Sequence, residues 1–307
     1  MMIDNFIKCK NDVLKTLLYF DVFNYPLTID EIASFSQFSL DEIKQSLNEL
    51  TKDKFIFFKT NFYSILDDNE LIERRVKGNE QAAKINNKAK KVSRLISQFP
   101  YVRGVFISGS LSKGYFAHDD DIDFFIITKP NRLWFARTTL IAYKKVFLLN
   151  SKKYFCVNYF MSDDALEIAQ KNRFTATEFV TLMAMNGKGV YNKILNHNNW
   201  ILDIFPNFNQ DKGGDIIKPK LTKRFLEFIF NGFIGDFLEK KFMEITQKHQ
   251  QKKFKLLNKK EFEIAFKGDK NTSKHHPSNH QIVVLEKLNK RIEEFNIKHN
   301  FNISLES

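Results

Sequence analysis

Residues 105–114 read Val-Phe-Ile-Ser-Gly-Ser-Leu-Ser-Lys-Gly, and residues 121–128 read Asp-Ile-Asp-Phe-Phe-Ile-Ile-Thr. The first run is apolar up to Gly109, which is the pattern of a buried strand that ends in a turn. The second run is long enough to cross a sheet, and because side chains alternate along a strand, Asp121 and Asp123 must project from the same face. Two carboxylates on one face repel each other unless a cation lies between them. The pair therefore predicts a cation site at the mouth of a strand.

The bend after the first run is suited to an anion. Gly109 permits close approach of the backbone, and the Ser110 hydroxyl can donate to a phosphate oxygen. This arrangement resembles the motif of the nucleotidyltransferase superfamily, which is built on the palm of DNA polymerase β. The motif consists of a hydrophobic strand, a Gly-Ser bend, a gap, here residues 111–120, and alternating acids, here within residues 121–124. The variant at 109–114 looks most like the small bacterial members. The match covers about a third of the chain, up to Met161.

The resemblance implies a mixed nucleotidyltransferase sheet with helices. For the whole chain we expect an α+β fold, in which a winged helix-turn-helix precedes this domain and an α-helical region follows it. The resemblance also implies that Asp121 and Asp123 are catalytic and hold two Mg²⁺ ions roughly 4 Å apart. One ion would lower the pKa of an acceptor hydroxyl, and the other would hold the triphosphate and stabilise the departing pyrophosphate. The nucleotide-binding residues that it implies are Gly109, Ser110, Lys113 and Gly114. The substrate is then an NTP, expected to be ATP. The acceptor stays open among a small molecule, a protein and an RNA end.

The sequence departs from the family pattern on the next strand. A third carboxylate normally lies there, and the matching position is Asn158. An amide oxygen can bind Mg²⁺, but it neither balances charge nor accepts a proton as a carboxylate does. Three interpretations stay open: Asn158 is a neutral metal ligand, a nearby acid replaces it, or the domain is a nucleotide-binding regulator with weak or no activity that acts through its winged helix. The nearby acids are Asp120, Asp163, Asp164 and Glu167.

The composition narrows the classes of partner and compartment. A formal charge of +12 and a pI near 9.4 favour anionic partners such as nucleotides, nucleic acid or a phospholipid surface, although Lys, Asn, Ile and Phe are abundant throughout, as in an AT-rich genome. Cys9 and Cys156 are far apart and fit no metal-binding spacing, which favours a reduced, cytoplasmic protein. No signal-peptide core occurs at 1–11, and no transmembrane segment is expected.

Residues 1–66 predict a winged helix-turn-helix. Two capping boxes open its second and third helices, and the runs at 55–58 and 62–66 read as a two-stranded wing. The capping boxes are Thr28 with Glu31 and Ser39 with Glu42. The exposed face of the third helix mixes acids with Lys, Asn and Gln, unlike the usual major-groove reader. DNA binding is therefore not favoured, and docking against the next domain or a partner is preferred.

The rest of the chain divides into three segments. Residues 67–99 predict a connecting helix interrupted near Gly78, residues 100–210 the nucleotidyltransferase domain, and residues 211–307 a C-terminal helical region. In the last segment, a Phe-rich amphipathic helix is predicted at 221–254. Its apolar stripe is interpreted as core packing, with a lipid surface or partner helix as the alternative.

Three helix-level predictions bear on the site. Asn131 is expected to cap a helix from Arg132 to about 149, in which Arg137 could reach a triphosphate, although an edge-of-core position is more usual for such a residue. Residues 152–161 predict the next strand. Thr175 and Glu178 predict a capping box, which makes Glu178 a cap rather than a catalyst.

A polar loop before the terminal helix supplies accessory candidates. Lys274, His275 and His276 could bind phosphate or help to deprotonate an acceptor hydroxyl, and the alternative is an ordinary polar loop. A zinc site is not expected, because no Cys or acid accompanies these residues at ligand spacing. The glycine-containing segments match neither a Walker loop nor a dinucleotide fingerprint.

Overall fold

The N-terminal part of the chain is a small helical unit with a hairpin. The computed structural model describes residues 2–210, 213–254, 268–274 and 280–306. The unit comprises α1 (Met2–Asp21), α2 (Ile29–Ser34), α3 (Leu40–Lys52), β1 (Phe57–Lys59) and β2 (Phe62–Ser64). Both predicted capping boxes are confirmed. The Thr28 and Ser39 side chains accept hydrogen bonds from the backbone N–H groups of Glu31 and Glu42, and each Glu side chain accepts one from the backbone N–H of its N-cap residue. The two strands pair antiparallel, as the hairpin prediction requires.

The connecting helix α4 (Asn69–Ser97) runs without a break, so the predicted interruption at Gly78 is wrong. Gly78 instead allows the Tyr115 ring to approach the helix closely. A Cβ at Gly78 would lie 2.1 Å from the ring of Tyr115, and the Gly78 carbonyl accepts a hydrogen bond from the Phe116 backbone at 3.1 Å. Gly78 therefore lets the loop that carries Tyr115 pack directly on the helix.

A five-stranded mixed sheet forms the centre of the molecule. Its strands are β3 (Val102–Ser108), β4 (Asp123–Thr128), β5 (Cys156–Ser162), β6 (Met183–Asn186) and β7 (Thr272–Lys274), in the order β6-β3-β4-β5-β7. β4 and β5 are parallel, and the other neighbours are antiparallel. The predicted α+β class with a mixed sheet is confirmed. The predicted start of β5 at 152 is wrong, because Lys152 lies in a turn closed by the Phe155 backbone at 2.8 Å.

The sheet lies between two hydrophobic cores. The remaining helices are α5 (Gly109–Ser112), α6 (Leu133–Phe147), α7 (Arg173–Val180), α8 (Lys188–His197), α9 (Trp200–Ile204), α10 (Leu221–Ile229), α11 (Phe233–Lys253) and α12 (His280–His299). Phe125 and Ile127 of β4 face a core shared with the N-terminal unit, α7 and α12. Phe124 and Ile126 face a second core with α4, α6 and residues of α11. This alternation places Asp123 on the side of the N-terminal unit.

Two predicted helix starts are wrong, each for its own physical reason. α6 begins at Leu133, and its N-cap position, Arg132, makes no side-chain cap bond. Residue Asn131 instead adopts a left-handed turn conformation, with φ of 56°. α7 begins at Arg173, because the Asn172 side chain accepts from the Thr175 backbone at 3.0 Å. An upstream Asn takes the capping position, so Glu178 is not a cap.

The predicted Phe-rich helix is two helices, and its interpretation as core packing is wrong for much of the stripe. The helices α10 and α11 are separated at residues 230–232. The exposed fraction is 64% for Phe225, 83% for Phe228 and 84% for Phe233. The buried face of α10 is polar instead, because Lys223 donates to two backbone carbonyls of residues 97 and 102, at 2.8 and 2.7 Å. In the described residues, no helix has both the length and the apolar character needed to cross a bilayer.

Candidate active site

The structure brings the Gly-Ser bend directly against Asp123. Ser108, the last residue of β3, pairs with Asp123, the first residue of β4. Gly109 follows in the left-handed region, with φ of 70°, and a Cβ on it would lie 2.7 Å from Asp123 Oδ2. Any larger residue at 109 would occupy the position next to this carboxylate. Glycine is therefore required both by the turn and by the close approach.

The fold places Asp123 where its negative charge is disfavoured. Burial is the main cause that raises the pKa of Asp123 to about 6. The nearby carboxylates of Asp121, Glu178 and Asp120 act in the same direction, while a hydrogen bond with the Cys156 thiol opposes them. Asp121 lines the same cleft, although it precedes β4, which begins at Asp123 and not at Asp121 as predicted. A cation would offset both the burial and the repulsion.

Asn158 is directed at Asp123 by a β-bulge. The register between β4 and β5 shifts after Phe124, so that Val157 pairs with Phe124 and Tyr159 with Phe125. The extra residue is Asn158, whose amide nitrogen donates to Asp123 Oδ1 at 3.0 Å. Its amide oxygen is buried and has no hydrogen-bond partner among the described residues. Bulges commonly redirect a side chain in this way beside functional sites.

These donors fit a magnesium ion by type. Two carboxylates and a buried amide oxygen without a donor are the oxygen ligands that Mg²⁺ takes, with phosphate oxygens completing the shell. In the described part of the chain, no three His, Cys, Asp or Glu side chains converge as a metal-binding group. A metal at this position would therefore depend on Asn158 together with Asp121 and Asp123.

The acids considered as replacements for Asn158 are engaged elsewhere. Asp163 pairs with Lys193 at 3.1 Å, Asp164 accepts from the Ser162 hydroxyl, and Glu167 pairs with Lys171 at 3.2 Å. None of these three acids lines the cleft.

Asp120 does line the cleft, but its carboxylate stabilises the bend. Its Oδ2 accepts from the Ser110 hydroxyl at 2.8 Å and from the Ala117 backbone at 2.9 Å. The Ser110 hydroxyl, predicted to face a phosphate, therefore donates to Asp120 in this structure. The bond holds the loop at 111–120 against the bend.

Lys113 reaches the cleft together with Glu178. Its ammonium lies 2.8 Å from Glu178 Oε1 and 3.2 Å from the Gly109 carbonyl. Glu178 was missed because its Thr-x-x-Glu pattern is also that of a capping box. Gly114, predicted to bind nucleotide, has φ of 73° at the end of α5 and is not among the residues that line the cleft.

The cleft over these residues has a volume of about 980 Å³. The N-terminal unit closes one side of it, where the Tyr25 hydroxyl donates to the Lys113 carbonyl and the Tyr25 and Tyr115 rings lie 6.0 Å apart. Such a volume is typical of a small-molecule site.

Lys274 is the first of the predicted accessory residues and lies within the described residues. Lys274 pairs with Tyr159 across the β5–β7 ladder and lines the cleft. His275 and His276 lie outside the described residues. Of the predicted accessory residues, Lys274 is thus the one that the structure places at the site.

Comparison with protein-family models, with curated proteins and with solved structures finds no match for this chain. The site must therefore be interpreted from its own geometry.

Proposed function

We propose that the chain is a Mg²⁺-dependent nucleotidyltransferase with a polymerase β-like catalytic sheet. The observation that carries the proposal is the contact of Gly109 with Asp123, which puts a backbone bend without a side chain beside a buried carboxylate. Asp121 and Asn158 line the same cleft, and their oxygen atoms are available as further ligands. The N-terminal unit is proposed to be a winged helix that docks on the catalytic sheet, which its contact from Tyr25 to Lys113 supports.

In the proposed reaction, an acceptor hydroxyl oxygen bonds to the α-phosphorus of an NTP, expected to be ATP. The bond from that phosphorus to the oxygen bridging to the β-phosphate breaks, pyrophosphate leaves, and the hydroxyl proton passes to solvent water. Mg²⁺ bound at Asp121 and Asp123 supplies positive charge to the phosphates.

The chain's own residues position these groups. Gly109 lets the backbone bend lie directly against Asp123, and the Asn158 amide orients the Asp123 carboxylate through its 3.0 Å bond. Lys113 supplies a cation next to the bend, with Glu178 fixing its position at 2.8 Å. The Ser110–Asp120 bond keeps the bend closed over the site.

Pyrophosphate release tests the proposal. The protein is incubated with Mg²⁺, each α-labelled NTP and a small-molecule cell extract as the source of acceptor, and both label transfer and pyrophosphate are measured. We expect activity in the wild type and its loss in Asp121→Asn. Asp119→Asn is the matched control, because Asp119 is exposed, loses the same charge and does not line the cleft.

Equal activity in wild type and Asp121→Asn would contradict the assignment of the site. Mg²⁺-dependent NTP binding without release or transfer would favour the alternative, a nucleotide-binding regulator. The incomplete set of carboxylates is the observation that favours that alternative.

A further inference from the structure

One wall of the cleft is basic and lies on a single face of α6. Arg137, Ile141 and Lys144 are spaced four and three residues apart, so they share a face, and all three line the cleft. Lys152, in the turn before β5, extends the same wall. We call Arg137, Lys144 and Lys152 the basic wall.

Arg137 and Lys144 of the basic wall have no acidic side chain as an ion-pair partner among the described residues. In the described part of the chain, Arg137 donates one long hydrogen bond to the Thr246 hydroxyl, at 3.4 Å, and lies 5.6 Å from the Trp134 ring. Lys144 is 8% exposed and makes no side-chain hydrogen bond or ion pair there. Lys113, in contrast, has Glu178 as its partner in the same cleft.

Holding these cations together is unfavourable in the ligand-free protein. Burial lowers the pKa of Arg137 to about 10. Burial also lowers the pKa of Lys144, and repulsion from Lys152 and Arg137 lowers it further. Buried charges normally have a partner of opposite sign, so a cleft wall with this charge is suited to receive an anion.

The basic wall lies on the opposite side of Asp123 from the bend. In the sheet, β4 has β3 and the Gly109 bend on one side and β5 on the other. Asp123 pairs with Ser108 on the first side and with Cys156 on the second. Lys144 interacts electrostatically with Cys156, which places its ammonium near the start of β5. The cleft thus has two cationic regions, with the carboxylate pair between them.

We propose that the basic wall binds the phosphate group of the acceptor, so that the second substrate is a small phosphomonoester that also carries the hydroxyl to be modified. The inference rests on the proposed function, in which the NTP occupies the bend and Lys113. A cleft of about 980 Å³ favours a small molecule over a macromolecule. The phosphate of such an acceptor would neutralise Arg137 and Lys144.

Calorimetric titration with two probes tests this inference. Inorganic phosphate is titrated into the ligand-free protein and into protein saturated with Mg²⁺ and α,β-methylene-ATP, an analogue whose α–β bridge cannot be cleaved by transfer. The variants are Arg137→Gln and Lys144→Gln. Lys145→Gln is the control, because Lys145 is the next residue on α6 and is exposed on another face.

We expect phosphate to bind the wild type with and without the analogue. Each wall variant should lose phosphate affinity by about tenfold, as expected for one hydrogen bond to a charged group, while its affinity for the analogue stays within about twofold. Lys145→Gln should resemble the wild type. Both wall variants remove a buried charge, so they are expected to fold, and circular dichroism checks this.

Two results would overturn the inference. If phosphate affinity is unchanged in Arg137→Gln and Lys144→Gln, the basic wall is not an anion site. If the analogue displaces phosphate and binds more weakly to the wall variants, the wall holds the nucleotide's own triphosphate. Failure of the proposed function would give a different result from these two, because the analogue would then not bind the wild type. Binding of phosphate to the ligand-free protein can still be measured in that case.

Discussion

The folded protein disfavours the charged form of Asp123, although the proposed chemistry needs that charge to bind a metal ion. Its carboxylate is packed beneath Gly109, near Asp121 and Glu178, and burial is the main reason that its pKa rises to about 6. A group whose charged form is disfavoured in the folded state lowers stability at neutral pH. Such a residue is expected where a ligand, rather than the fold, supplies the compensating charge.

Replacing Asp123 with Asn should stabilise the ligand-free protein at pH 7.5. The substitution removes the buried charge and keeps an oxygen that can accept from Asn158. We expect a gain of about 2 kcal/mol in the free energy of unfolding, from a pKa raised by roughly two units at 1.36 kcal/mol each and reduced for partial exposure. Urea denaturation in EDTA measures it, with exposed Asp119→Asn as the control. A less stable Asp123→Asn protein would show that the carboxylate supports the fold.

Gly109→Ala should disturb the site more than the same change at Gly114. Both glycines have positive φ, so each alanine variant should lose about 1–2 kcal/mol of stability from backbone strain. Only at Gly109 would the new Cβ meet Asp123 Oδ2, whereas Gly114 has open space around it. We therefore expect Gly109→Ala to lose NTP binding and Gly114→Ala to keep it, as measured by equilibrium titration. Equal binding by the two variants would contradict the close-approach argument.

At the scale of elements, a local capping pattern predicts the start of a helix well, unless a nearby residue takes the N-cap position instead. The capping boxes of α2 and α3 form as the sequence indicates, because each is complete within four residues. The pattern at Thr175 fails because Asn172 caps the helix one turn earlier, which leaves Glu178 to pair with Lys113 across the cleft. The bulge that directs Asn158 has no sequence signal, since it arises from strand register. The sequence singles out the acids at 121 and 123, which line the cleft, but it contains no signal that Glu178 lies beside them.

The junction between α10 and the sheet should respond to alkaline pH. Burial lowers the pKa of Lys223 to about 8, while Glu227 opposes this. Between about pH 8 and the ordinary lysine pKa near 10.4, the unfolded chain binds more protons at this position than the folded chain, so the contribution to stability rises with pH. Relative to Lys223→Met, the wild type should gain up to about 3 kcal/mol across this window.

Chemical denaturation at pH 7.5 and pH 10 measures the effect of Lys223. Lys220→Met is the control, because Lys220 is exposed just before the same helix. Parallel pH dependence in the wild type and Lys223→Met would mean that Lys223 titrates normally in the folded protein.

At the scale of the whole molecule, two cores enclose the sheet and leave aromatic residues of α10 and of the start of α11 exposed. The sequence predicts the amphipathic pattern but not its direction, because helical periodicity does not state which face meets the core. Lys223 and Glu227 anchor α10 through polar contacts, and the aromatic residues therefore point outward. The interpretation of the stripe as core packing places these aromatic residues inside.

A pair of matched substitutions tests this orientation. Phe228 is 83% exposed and Phe124 is fully buried. Phe228→Ala should change the free energy of unfolding by less than about 0.5 kcal/mol, whereas Phe124→Ala should lower it by about 3–5 kcal/mol. Urea denaturation of both variants gives the comparison, and similar losses would place Phe228 in a core.

The central claim is that the carboxylate pair under the Gly109 bend is a site for magnesium and a nucleoside triphosphate. Calorimetric titration of α,β-methylene-ATP into the intact protein, with and without Mg²⁺, tests it most directly. The account predicts binding that requires Mg²⁺ and is at least about tenfold weaker in Asp123→Asn than in Asp119→Asn. Equal affinity in the two variants, or no binding to the wild type, would contradict it.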